Sequence, residues 1–170
     1  AAPPEAVETY AAAIDAMRRG DSVEAELRLE QLIERYPELP GPYVNLAILY
    51  RHEGRDGDAR AMLERALELD PGHSEANNEL GILLREAGEF DAAEEAYRRA
   101  LAEDAGYLPA LYNLGVLLDL YLHRRDEALA CYEAYQQGLA EPDETVALWI
   151  IDLRRRVGSG AERVARRSAQ

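Results

Sequence analysis

Gly20, Gly54 and Gly88 stand 34 residues apart, and Ala25, Ala59 and Ala93 keep the same interval. A fixed period of that length constrains a chain more than its composition does, because each copy is one small supersecondary unit that cannot bury its own apolar face. The copies must stack. The sequence therefore predicts an open array with a long concave surface, a shape suited to holding other polypeptides.

Setting the unit from Ala6 gives copies at 6–39, 40–73, 74–107 and 108–141, preceded by a tail at 1–5. The eighth position of each copy is Ala13, Ala47, Gly81 or Gly115. All are small, as required where two antiparallel helices cross closely. Tyr43, Leu46 and Tyr50 lie on one helical stripe, which recurs as Asn77, Leu80 and Leu84 and as Leu111, Leu114 and Leu118. The second half of the unit has its own stripe, in Ala59, Leu63, Ala66 and Leu67 and again in Ala93, Tyr97, Ala100 and Leu101. Each copy is predicted to be a helical hairpin. Its first helix is closed by the repeated glycine in a left-handed conformation. Pro37 and Pro71 end the second helix of their units, and Ala105 takes that place in the third.

The fourth copy slips. Leu122 occupies the glycine position, and Ala128 and Tyr132 arrive one residue late. One residue has been inserted, expected between Leu118 and Asp126 and extending the first helix through Leu120 and Leu122 before Asp126 caps the next helix. After Glu141-Pro142-Asp143 the pattern changes, and Val146, Trp149, Ile150, Leu153 and Val157 mark one face of a capping helix at 143–157. Leu148 and Ile151 fall off that face. The remainder, 158–170, is expected to be a flexible basic tail opening on Gly158-Ser159-Gly160.

Abundant Ala, Leu, Glu and Arg with few β-branched residues favour helix throughout, so the fold class is all-α with no sheet. A net charge of −14 disfavours nucleic acid and anionic lipid as partners and suits a cationic or neutral polypeptide. No apolar run is long enough to span a bilayer. The start at Ala1-Ala2-Pro3-Pro4 fits the trimmed end of an exported precursor or an arbitrary boundary, and the expected compartment leans to a bacterial periplasm or envelope over the cytoplasm.

Catalytic chemistry finds little support. His52, His73 and His123 are far apart, and no two occupy metal-ligand spacing on one helical face. Cys131, the single cysteine, falls within a packed helix as a small hydrophobe. The repeated glycines are separated by whole hairpins and cannot cradle a phosphate. No metal, cofactor or catalytic residue is expected.

The pattern in Tyr43-Val44-Asn45-Leu46-Ala47, Tyr50, Gly54, Ala59, Leu63, Ala66 and Pro71 resembles a tetratricopeptide repeat. Asn78-Glu79-Leu80-Gly81, Gly88, Ala93, Tyr97 and Ala100 carry a further copy, and Tyr112-Asn113-Leu114-Gly115 opens another. The first copy has Thr9 where the family pattern has an aromatic, but keeps Gly20, Ala25 and Pro37. The resemblance implies a right-handed superhelical α-solenoid of four hairpins plus a capping helix. In such arrays the first helix of each hairpin lines the concave groove. The positions facing it give Tyr10, Ile14 and Met17; Asn45, Ile48 and Arg51; Asn78, Ile82 and Arg85; and Tyr112, Asn113, Val116 and Asp119. Asn could pair with a ligand's main chain while Ile and Tyr form pockets for its side chains. Asn45 and Asn113 also stand where the family pattern itself has Asn, and local hydrogen bonds are the alternative role for both. Relatives that grip a chaperone's C-terminal carboxylate use five set groove positions. Here Glu75 and Glu79 fall among those of the first three units, which argues against that ligand.

The resulting expectation is a bacterial scaffold or assembly factor that binds a peptide segment of a protein partner. The alternative is an envelope component resembling the repeat-containing lipoproteins of pilus or secretion assembly. An enzyme is the disfavoured class, and self-association through exposed apolar surface near Leu148 and Ile151 or through the first unit's divergent end is a further reading.

Overall fold

The computed structural model describes residues 3–168, with side chains through 158. Among the described residues there is no strand. Four helical hairpins follow one another: α1 (Pro4–Arg19) with α2 (Ser22–Arg35), α3 (Pro40–His52) with α4 (Asp56–Leu69), α5 (Ser74–Glu86) with α6 (Phe90–Glu103), and α7 (Leu108–Val116) with α8 (Arg125–Gly138). A final helix, α9 (Glu144–Ser168), packs on α8.

Local chemistry sets these boundaries. Gly20, Gly54 and Gly88 adopt φ of 73°, 74° and 79°, the left-handed turn that a glycine takes without a Cβ clash. The next residue closes each turn by donating to a carbonyl five residues back, as Glu89 does to Leu84 at 2.8 Å. Pro4, Pro40 and Pro109 stand in first turns, where a missing donor costs nothing. Asp21 and His73 cap α2 and α5 by accepting from the backbone N–H groups of Glu24 and Ala76.

The eighth-position residues and their partners in the second helix vary together. Ala13 and Ala47 belong to units whose second helix buries Leu29 and Leu63, whereas Gly81 and Gly115 lie beneath Tyr97 and Tyr132. Losing a methyl on one helix makes room for a ring on the other, and total core volume is conserved.

The order of packing defines the curvature. Each second helix meets the first helix of the next unit, and in addition α3 touches α5 and α5 touches α7. No comparable contact joins α4 to α6, so the array bends with its first helices on the inside. At the turn edge the units are joined by ion pairs at equivalent positions with alternating sign. Glu26 meets Arg55 at 3.2 Å, Arg60 meets Glu89 at 3.4 Å, and Glu94 meets Arg124 at 2.7 Å.

Four expectations are corrected. The inserted residue of the fourth unit does extend the first helix, but only through Tyr121, short of Leu122, and as a π-helical segment, Leu117–Tyr121, continuous with α7. It widens the helix by one residue, so that Arg124 donates to Leu118 six residues back instead of five, at 2.8 Å. His123, not Leu122, then takes the glycine's place, with φ of 56°. Second, Asp126 does not cap α8; Arg124 is the residue before the helix, and Asp126 sits in the first turn, where a carboxylate favours the helix dipole. Third, α1 starts at Pro4, so the N-terminal tail does not extend to residue 5. Fourth, no hinge separates a capping helix from a tail at 158. Gly158 does not take a positive φ, and the helical backbone continues through Ser168; residues 169–170 lie outside the described residues. The Ala, Glu and Arg that follow are good helix formers and carry the helix past its glycines.

Val146, Ile150 and Leu153 of α9 are buried, and Trp149 is half-buried with its ring 5.6 Å from that of Tyr132. Leu148 and Ile151 remain 66% and 64% exposed, as their position off the stripe implies.

Candidate functional site: the concave groove

The inner wall is made by α1, α3, α5 and α7, and the thirteen groove residues read from the sequence all lie on these helices or, for Asp119, on the π-helical segment. Their helical phase sorts them into columns that run across the units. One column is aliphatic: Ile14, Ile48, Ile82 and Val116, one from each unit at the same position, are each half-buried. Beside it runs a column of long or charged side chains, Met17, Arg51, Arg85 and Asp119, all half-buried.

The amide residues behave differently from the expectation that they face a ligand. Asn45 and Asn78 are only 7% and 3% exposed. Asn45 donates from Nδ2 to the Tyr10 hydroxyl at 2.6 Å and to the Gly41 carbonyl at 3.1 Å. Asn113 Nδ2 donates to Asn78 Oδ1 at 3.0 Å. The two inter-unit bonds are equivalent, each joining residues 35 apart across neighbouring first helices. These amides therefore tie unit to unit. Asn113, still half-buried, retains a face toward solvent.

Between the second and third units Val44 stands where Tyr10 and Asn78 stand elsewhere, and no such bond can form. An ion pair replaces it: Arg51 reaches Glu79 at 3.0 Å, with side chains only 18% and 13% exposed. Burial pushes the Glu79 carboxyl above its ordinary value, with Arg51 opposing the shift. Glu75 adds negative potential nearby. After burial, it is the largest cause raising the hydroxyls of Tyr10 and Tyr107, the latter to about 12.

At the fourth unit the groove ends in aromatic rings. Tyr112 lies 5.5 Å from Tyr135 and 6.1 Å from Trp149, centroid to centroid. An open hollow of about 560 Å³ lies between Leu108, Tyr112, Asn113, Tyr135 and Asp143. Sequence reasoning placed Tyr112 here and missed Tyr135 and Asp143, because it read the groove from first helices alone, whereas Tyr135 lies on α8 and Asp143 just before α9. Glu75 and Glu79 were visible at groove positions, but not the pairing of Glu79 with Arg51.

Among the described residues no three His, Cys, Asp or Glu side chains gather as metal ligands, and no helix is long and apolar enough to cross a membrane. Cys131 is half-buried, and burial pushes its thiol up, away from the reactive thiolate.

A curved stack of helical hairpins with a half-buried stripe along its inner wall defines an open helical repeat scaffold. The chain belongs to the tetratricopeptide repeat family, whose models match residues 10–60 and 38–102. Among curated proteins no sequence matches this one.

Solved structures share the fold. The PilF protein of Pseudomonas aeruginosa is 20% identical with a TM-score of 0.80, over 91% of this chain and 69% of that one. YrrB, a TPR protein with an unusual peptide-binding site, is 24% identical with a TM-score of 0.64, over 86% and 74% of the two chains. The O-GlcNAc transferase of Thermobaculum terrenum is 26% identical with a TM-score of 0.69 over 77% of this chain, which spans only 26% of that enzyme.

Proposed function

We propose that the protein is a non-enzymatic scaffold that holds an extended or helical segment of a protein partner in its concave groove. The observation that carries this reading is the stripe Ile14, Ile48, Ile82 and Val116. Four aliphatic side chains, one from each inner helix, remain half-buried where a core residue would be covered. A peptide lying across them would remove that surface from water, and polar groups flank the stripe to set its register. The family and the peptide-binding YrrB fold relative support the same reading. Selection of a random peptide library on the whole protein, followed by amide chemical-shift mapping of an enriched peptide, tests it. Shifts should run along α3, α5 and α7. Shifts confined to α2, α4 and α6, or no enrichment, would overturn the groove assignment.

The alternative of a bacterial envelope component has the fold likeness to PilF of Pseudomonas aeruginosa on its side. Fractionation of the native organism tests it, and recovery in the cytosol would exclude it.

A further inference from the structure

We propose that the groove between the third and fourth units carries a dedicated subsite for a carboxylate side chain, an Asp or Glu of the bound segment, held by Arg85 with Asn113 beside it. This deepens the groove reading and rests on it.

The argument comes from comparing two equivalent places in the array. Arg51 and Arg85 occupy the same position of the second and third units, 34 residues apart. Glu79 and Asn113 occupy the same position of the units that follow, again 34 apart. At the first place the geometry is complete: Arg51 is paired with Glu79 at 3.0 Å, and both are largely buried. At the second place the carboxylate has been replaced by an amide, and that amide is turned to Asn78, to which it donates at 3.0 Å. Arg85 is half-buried, and among the described residues it takes part in no ion pair.

A guanidinium presents five donors in a planar fork and accepts nothing, so a half-buried one is under-used until an anion meets it. The array itself shows which anion fits this spacing, since Glu79 supplies a carboxylate to Arg51.

The wider groove limits the occupant. Glu75, Glu79 and Asp119 line it, and the whole chain carries −14, so a uniformly acidic segment would be repelled. The segment that fits is neutral or basic overall, apolar along the Ile stripe, with one acidic side chain at a fixed register over Arg85.

The test uses the enriched library peptides on the whole protein, the Arg85→Gln variant and the Asn113→Glu variant, with circular dichroism melts to establish that each variant is folded. Peptides selected on the parent protein should share an Asp or Glu at one position, and changing it to the amide should weaken binding at least tenfold. Arg85→Gln should lose as much and show no further loss with the amide peptide. Asn113→Glu should also lose it, because the new carboxylate would occupy Arg85 as Glu79 occupies Arg51. Groove-bound peptides without a shared acid, or an acid whose removal costs Arg85→Gln as much as it costs the parent, would overturn the subsite and leave the groove reading standing. Absence of any groove-binding peptide would overturn both.

Discussion

The ring of Tyr97 lies across Gly81 so closely that a Cβ built on the glycine would stand 2.5 Å from the ring's Cε1. That distance is far inside van der Waals contact, and the neighbour is a fully buried ring with nowhere to move. Gly81→Ala should therefore cost about 1–3 kcal/mol, the range for overpacking a filled core. Combining it with Tyr97→Leu recreates the Ala47 and Leu63 pairing of the second unit and should recover most of the loss. Urea unfolding of the two single variants and the double variant measures the coupling. Additive losses would mean that the two positions do not share one space.

His123 holds a left-handed conformation at φ 56° that its neighbours in the array assign to glycine. His123→Gly should raise stability by about 0.5–1 kcal/mol, the strain of a Cβ at that φ less the entropy that glycine brings to the unfolded chain. The urea midpoint should move up without a change in slope. A lower midpoint would show that the imidazole makes a contact worth more than the strain.

Asn45 is joined to Tyr10 across the first two units at 2.6 Å. Asn45→Ala is expected to lower stability by about 1 kcal/mol, the usual worth of a neutral hydrogen bond in a partly buried place. Tyr10→Phe should cost a similar amount, and the double variant less than the sum. Any loss of partner capture in Asn45→Ala is then a consequence of a loosened array, to be separated from direct contact by this cycle.

At Glu79 burial outweighs the attraction of Arg51, so the folded carboxyl titrates above the ordinary glutamate value. A group with a raised folded pKa contributes its stabilisation fully below its unfolded value and loses it as pH rises through the folded one. Against Glu79→Gln, the parent protein should therefore lose stability as pH rises above the ordinary glutamate value of about 4. Paired urea titrations across that window give the difference. A difference that grows in favour of the parent on raising pH would show that the ion pair dominates.

The hairpins were legible because one period governs small residues, glycine stops and prolines at once, and each of those marks has a local cause. The insertion was legible as a count, from Ala128 and Tyr132 arriving late, and as a lengthened first helix, but not as a π-helical turn. Whether one extra residue becomes a loop or a wider helical turn depends on Leu117 and Leu118 staying buried, which is a tertiary matter. The columns were read by helical phase, and Ile14, Ile48, Ile82 and Val116 are alike half-buried on the first helices; that a ligand lies along them is the proposal. For Asn45 and Asn113 hydrogen bonding was one of the two roles weighed, but not that bonds to Tyr10 and Asn78 cross from one unit to the next, which depends on how the units sit together. The continuation of α9 past Gly158 was misread because two glycines outweighed the helix formers around them.

The alternating ion pairs at the turn edge impose an arithmetic on the lineage of such an array. Excising a single copy, for instance 40–73, would bring Glu26 opposite Glu89, carboxylate against carboxylate. Excising two copies together would bring Glu26 opposite Arg124, and attraction would return. Shortening or duplication by recombination is thus expected to keep this edge attractive in even steps and to set like charges together in odd ones.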